Sequence, residues 1–188
     1  MTNIELKARN RSLRADARTC RRIGARRAAC VRQRDTYFRA PAGRLKLRET
    51  AAGKAELIVY LRPDAPRARA CRYAILPVAD PAPLRRLLGA CLGTLGEVRK
   101  TRRVYLWRGV RIHLDDVRGL GPCIEFEAVL ARGKTPRRGR GQLAFLCNAF
   151  GIRAADIARG SYLDMGAARK GAVRRRAAAA PGGRRRRK

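Results

Sequence analysis

Between Val110 and Leu130 the chain reads VRIHLDDVRGLGPCIEFEAVL, two runs of alternating side chains joined by a Gly-rich turn. In the first run Arg111, His113 and Asp115 share one parity, and Val110, Ile112 and Leu114 the other. In the second run Glu125 and Glu127 face one way, with Ile124 and Phe126 opposite. Successive side chains of a strand point to opposite faces, so each set occupies one side of its strand. The same period extends outward in the sequence. Ile4 and Leu6 alternate with Asn3, Glu5 and Lys7, and Leu45 and Leu47 alternate with Arg44, Lys46 and Arg48. VRKTRRVYLW (98–107) offers Lys100 and Arg102 on one face. ELIVYLR (56–62) is a short apolar run ending at Pro63, and ARACRYAILPV (68–78) follows it. At least seven such segments, separated by Gly or Pro turns, predict a mainly antiparallel sheet or barrel.

Three windows break this period. Ser12 to Ile23 reads as a helix with a Ser cap and a stop at Gly24. Asp80-Pro81 opens PAPLRRLLGACL, with Pro in the first turn, where its missing N–H costs nothing. Pro136 to Phe150 places Leu143, Leu146, Cys147 and Phe150 at helical spacing. RGKTPRRGRG, from Arg132 to Gly141, reads as a flexible loop joining the last strand to that closing helix.

At 188 residues the chain has the length of one domain, or one domain plus a tail. Its 46 Lys and Arg against 14 Asp and Glu give a formal charge of +32. From Met165 to Lys188 there is no acid and there are ten basic residues, which predicts a disordered polycationic tail, 165–188, behind a folded domain, 1–164. Such a tail would bind nucleic acid or polyphosphate non-specifically. Without those ten charges residues 1–164 still carry +22, so the body needs its own explanation: nucleic acid, an anionic membrane surface, or a substrate with several phosphates. No apolar run approaches the roughly 18 residues of a membrane span. No apolar stretch near the N-terminus precedes a cleavage site, so a cytoplasmic protein that does not enter the membrane is expected. Six cysteines without a CxxC pair predict free, mostly buried thiols and no structural zinc.

The charged strand faces admit two readings. Pointing outward they are solvated faces of a sandwich; Glu125 and Glu127 then serve solubility, and Arg44, Lys46 and Arg48 form a nucleic-acid patch. Pointing inward they make a cationic tunnel with an acidic patch. Like charges so close repel strongly in a low dielectric, so such a lumen must hold water and counter-ions, or a polyanion and a divalent metal.

In the segments NIELKAR, QRDTYFRAPAGRLKLRE, LIVYLRPD, VRKTRRVYLW, RIHLDDVRGLG, IEFEAVL and GSYLD, in that order and spacing, the chain resembles the CYTH family. These are the triphosphate tunnel metalloenzymes, which include class IV adenylyl cyclases and thiamine or inorganic triphosphatases. The resemblance covers about residues 3–164. It implies an α+β protein, mainly antiparallel β: a closed eight-stranded tunnel barrel with flanking helices. It implies phosphate contacts from Lys7, Arg44, Lys46, Arg48, Arg62, Lys100, Arg102 and Arg111, and Mg²⁺ or Mn²⁺ on Glu5, Asp115, Glu125 and Glu127. The family's ExExK motif falls on Asn3, Glu5 and Lys7, so Asn3 replaces the first acid. Glu5 and Lys7 are the catalytic candidates, Lys7 as a phosphate ligand or a proton acceptor. His113, the sole histidine, lies one inward position before Asp115 and lines the tunnel.

The chemistry agrees with the residue types. Arg offers planar bidentate donors to phosphate and Lys a point charge, while carboxylates suit a hard divalent ion. The expected function is a metal-dependent phosphohydrolase acting on a small triphosphate. The alternatives are a class IV adenylate cyclase converting ATP to cyclic AMP and pyrophosphate, and a non-catalytic polyphosphate- or nucleic-acid-binding module, which Asn3 favours. A monomer or homodimer fits either.

Overall fold

The computed structural model describes residues 2–10, 12–61, 67–130 and 135–169. Eight strands run in chain order: β1 (Thr2–Arg9), β2 (Arg26–Phe38), β3 (Arg44–Thr50), β4 (Ala55–Leu61), β5 (Arg69–Val78), β6 (Thr94–Trp107), β7 (Val110–Val117) and β8 (Gly121–Val129). All ladders are antiparallel, and the order β1-β5-β4-β3-β2-β6-β7-β8 closes on itself, because β8 also pairs with β1. The alternating segments read from the sequence account for seven of these strands. The eighth, β2, begins RRAACV, which has no clean alternation, and a register shift interrupts it between Arg27 and Ala29. Its pairing along β6 fixes what its own pattern leaves open.

The helices follow their caps. α1 (Leu13–Arg22) starts at Ser12, whose side chain accepts from the Ala15 N–H, and α2 (Pro81–Leu92) starts at Asp80, which accepts from Ala82. α3 (Pro136–Ala149) starts at Thr135, which accepts from Arg138. The loop expected over Arg132–Gly141 is therefore shorter, because a Thr cap followed by Pro in the first turn outweighs the Gly- and Arg-rich composition.

The tail also begins later than expected. Residues 162–169 are helical, and Tyr162 and Met165 are buried with Tyr37, Val98, Val117 and Cys123 at one end of the barrel. Two apolar side chains three apart on a helix share a face, and covering the barrel end gives that face something to pack on. The disorder and nucleic-acid binding expected further along fall on residues 170–188, outside the described residues. No helix of the described residues is long and apolar enough to cross a membrane. All six cysteines are free; Cys20, Cys71 and Cys123 are buried, but Cys30 and Cys91 are exposed, fewer buried than expected.

The main core lies outside the barrel. Ile4, Leu6, Ala8, Ile112, Leu114, Ile124, Phe126 and Ala128 form the outer parity of β1, β7 and β8 and pack under Leu143 and Leu146 of α3 and Cys20 of α1. Burying each large member contributes about 1.5–3 kcal/mol. Gly139 lets α3 sit this close: a Cβ there would lie 3.2 Å from Ile4 Cγ1. With the apolar parity spent on the outer layer, the charged parity has only the lumen.

Candidate active site

The inward side chains surround a cavity of about 300 Å³. Register fixes who meets whom. Lys7 stands opposite Glu125 and Glu5 opposite Glu127 on the β1–β8 ladder; His113 stands opposite Glu125 and Arg111 opposite Glu127 on β7–β8. A one-residue slip would send all of these to the outside, and the outer apolar core forbids that slip.

The first charge centre is Asp35, on β2 and 1% exposed. Its carboxylate accepts from Arg48 Nε (2.8 Å) and Nη2 (3.2 Å), Lys46 Nζ (3.1 Å) and Lys100 Nζ (2.7 Å). Burial alone pushes this carboxyl up, but Arg48, Lys100 and Lys46 together outweigh it and hold the group well below the usual carboxylate range. The cations feel the crowding. Burial brings Lys46 down to about 8 and Lys100 down to about 7, with Asp35 resisting and the neighbouring cations adding to the fall.

The second centre is Glu125, which pairs with Lys7, accepts from Arg102 Nη2 at 2.7 Å, and lies 3.4 Å from His113 Nδ1. Burial pushes its carboxyl up; Lys7 and Arg102 more than reverse this and hold it well below the usual range. Arg102 also makes a two-pronged pair with Asp115, at 2.8 and 2.6 Å, and the Tyr162 hydroxyl donates to Asp115 at 2.7 Å. Glu127 takes Arg111 at 3.0 Å. The Lys7 ammonium sits 4.4 Å from the Tyr162 ring centroid and Lys100 5.9 Å, so Tyr162 closes this side of the lumen beneath both.

One cluster has the donor set of a cation site. His113, Glu125 and Glu127 each offer a ligand atom, all within 4.8 Å of one another. In the same lining, Asn3 Oδ1 is buried without a hydrogen-bond partner, and Glu5 follows it on the same face. Carboxylate oxygens, an amide oxygen and one imidazole fit a divalent ion of the Mg²⁺ or Mn²⁺ kind.

Of the residues singled out from sequence, Glu5, Lys7, Lys46, Arg48, Lys100, Arg102, Arg111, His113, Glu125 and Glu127 all line the cavity. Arg44 does not; its guanidinium pairs with Asp164 at 2.8 Å. Asp115 is fully buried behind Arg102 with both oxygens engaged, so it orients that guanidinium rather than facing the lumen. Arg62 lies outside the described residues. Sequence reasoning missed Asp35, Ser161 and Tyr162, although Asp35 lies within QRDTYF at the same parity as Gln33 and Tyr37, and the other two within GSYLD.

A closed antiparallel barrel whose apolar core is external and whose lumen is a lattice of buried ion pairs defines a tunnel-barrel protein with an ionic lumen. More narrowly, the chain belongs to the CYTH domain family, which it matches over residues 1–162. Members of that family are triphosphatases or adenylate cyclases that depend on a divalent metal. The fold is shared with the PH1012 protein from Pyrococcus horikoshii (22% identity, TM-score 0.78, 86% of this chain and 98% of that one). It is shared with a candidate adenylate cyclase from Vibrio parahaemolyticus (22%, 0.71, 87% and 97%). It is shared also with HpAC1 from Hippeastrum, described as having a dominant triphosphatase activity (20%, 0.61, 88% and 95%). No curated protein matches the chain in sequence.

Proposed function

We propose that this protein is a divalent-metal-dependent hydrolase of a triphosphate held in the barrel lumen. The observation that supports this best is the convergence of Lys46, Arg48 and Lys100 on one carboxylate, Asp35, facing a separate carboxylate–imidazole cluster. Six cations (Lys7, Lys46, Arg48, Lys100, Arg102, Arg111) and four carboxylates (Glu5, Asp35, Glu125, Glu127) line the cavity, an excess of two positive charges. A divalent ion would raise this to about four, which balances a triphosphate of roughly four negative charges.

In this reading Lys46, Arg48, Lys100 and Arg102 grip phosphate oxygens, with Asp35 and Asp115 holding them in place before the ligand arrives. Lys7 serves as a further phosphate ligand beside Tyr162. Glu125, Glu127, Glu5 and His113 would hold the metal, with the Asn3 amide oxygen in place of the family's first acid. When bound, the ion would neutralise charge developing at phosphorus and orient the attacking water. The lumen's walls exclude bulk solvent, which strengthens each of these charge contacts.

A second reading, cyclisation of ATP, uses the same grip with a ribose hydroxyl as nucleophile; the apolar part of the lumen wall favours it, since a nucleoside needs such a surface. Incubation with tripolyphosphate, thiamine triphosphate or ATP and Mg²⁺ or Mn²⁺ separates the readings by product: phosphate for hydrolysis, cyclic AMP and pyrophosphate for cyclisation. The expected result is metal-dependent phosphate release that falls on the order of a hundredfold or more in Glu127→Gln. Binding without turnover of any of the three would leave a polyphosphate-binding module and reject the enzyme.

A further inference from the structure

The lumen is chemically lopsided. Charge occupies β1, β3, β7 and β8 and the inward positions nearest Tyr162, but another stretch of the lining is apolar: Ile58 on β4, Tyr73 and Ile75 on β5, Val31 on β2 and Val104 on β6. Ile58 stands directly opposite Ile75, and these two belong to one apolar cluster with Tyr60, Cys71 and Tyr73. Four of the five, Val31, Tyr73, Ile75 and Val104, are only partly buried, so they present hydrocarbon to the cavity. Arg111 marks the seam between the halves: its guanidinium reaches Glu127 at 3.0 Å on the charged side and the Tyr73 hydroxyl at 3.4 Å on the other. Val104 stands opposite His113 in the ladder, so the apolar surface runs up to the carboxylate–imidazole cluster.

Inorganic tripolyphosphate has only oxygen at its surface. Against such a wall it would give up hydration and gain nothing, whereas a ring-bearing group esterified to the phosphate chain removes that hydrocarbon from water. The two surfaces are continuous, so one molecule with a polyphosphate end and an organic end can satisfy both at once. We propose that the substrate is an organic triphosphate, and that Val31, Ile58, Tyr73, Ile75 and Val104 select it over inorganic tripolyphosphate. This inference rests on the triphosphate reading above.

The test is calorimetric titration of the full chain, with EDTA present to prevent turnover, using tripolyphosphate, ATP and thiamine triphosphate as separate probes. At least one organic probe should bind about tenfold more tightly than tripolyphosphate, the scale set by one or two buried methylene-sized contacts. Its binding should also show a negative heat-capacity change that tripolyphosphate lacks, the mark of apolar burial. Val104→Thr and Ile75→Thr keep a β-branched side chain on each strand and add a hydroxyl. Each should erase most of the organic preference while changing tripolyphosphate affinity by no more than about twofold, far below the discrimination expected from the wall. Retained tripolyphosphate binding certifies that a variant is folded. The inference is overturned if tripolyphosphate binds as tightly as both organic probes, or if the Thr variants weaken all probes alike. In the first case the triphosphate reading survives; if no probe binds, either in EDTA or with Mg²⁺ in its place, that reading falls too.

Discussion

Asp16 and Asp35 are both buried, 4% and 1% exposed, and their surroundings drive them in opposite directions. Asp16 sits in the first turn of α1, in the layer of helices outside the barrel, with one hydrogen bond from the Asn10 amide (2.7 Å) and a second oxygen without a partner. Burial lifts its carboxyl to about 6, and Asn10 offsets only part of that. Asp35 lies inside the barrel among Arg48, Lys46 and Lys100 and stays ionised far below the usual range. Both are almost wholly shielded from solvent; the company differs. The outer layer treats a charge as a cost, whereas the lumen requires one, because three cations would otherwise be left facing each other.

The largest expected break in this contrast is Asp35→Asn. It leaves three buried cations uncompensated and should destabilise the empty protein by about 3–5 kcal/mol in denaturant titrations. Saturating tripolyphosphate should recover much of that loss, since the ligand supplies the missing negative charge. No recovery would mean that the three cations do not face a ligand site.

Next in size is a pH effect inside the barrel. Lys46 and Lys100, brought down to about 8 and about 7, grip a polyanion only while protonated. Affinity for tripolyphosphate should therefore hold at lower pH and fall as pH rises through 7 to 9, by about tenfold or more. Lys100→Arg, which keeps its charge, should flatten part of that fall.

The smallest effect is in the outer layer. The folded Asp16 carboxyl binds its proton more tightly than the unfolded one, so its contribution to stability declines as pH rises from about 4 to about 6. Asp16→Asn should accordingly stabilise the protein by about 1 kcal/mol at pH 7 and make no difference below pH 4, checked by thermal melts at both.

The sequence was most legible where a strand carries its chemistry on one parity and hydrocarbon on the other. β7 and β8 show this, and their inward residues His113, Glu125 and Glu127 line the cavity as the alternation suggests. The helices were legible from Ser12, Asp80 and Pro136, because capping is local. β2 was not, and Asp35 was lost with it: Val31, Gln33, Asp35 and Tyr37 mix hydrocarbon, amide, acid and phenol on one face, so period-two reasoning has nothing to grip. Arg44 and Asp115 share a parity with lumen residues yet take other partners, since parity fixes a side and not a depth. Asp164, far along the chain, claims Arg44, and Arg102 with Tyr162 claims Asp115. Tyr162 could not be placed from local pattern, because a single aromatic after Gly160 and Ser161 carries no period; its long-range contacts with Lys7 and Lys100 assign it to the lumen.

The ring closes where Asn3 meets Val129 and Lys7 meets Glu125. During synthesis β1 emerges more than a hundred residues before its β8 partner, so the sheet must wait with that seam open. An unzipped seam is an invitation to pair with a neighbouring molecule, and inward-pointing charges are a known deterrent. Asn3, Glu5 and Lys7 put an amide and two charges on one face of that open edge, a composition that offers a passing strand little to stick to. The same ionic lining that burdens the finished ring is of the kind that discourages edge pairing while the ring is open.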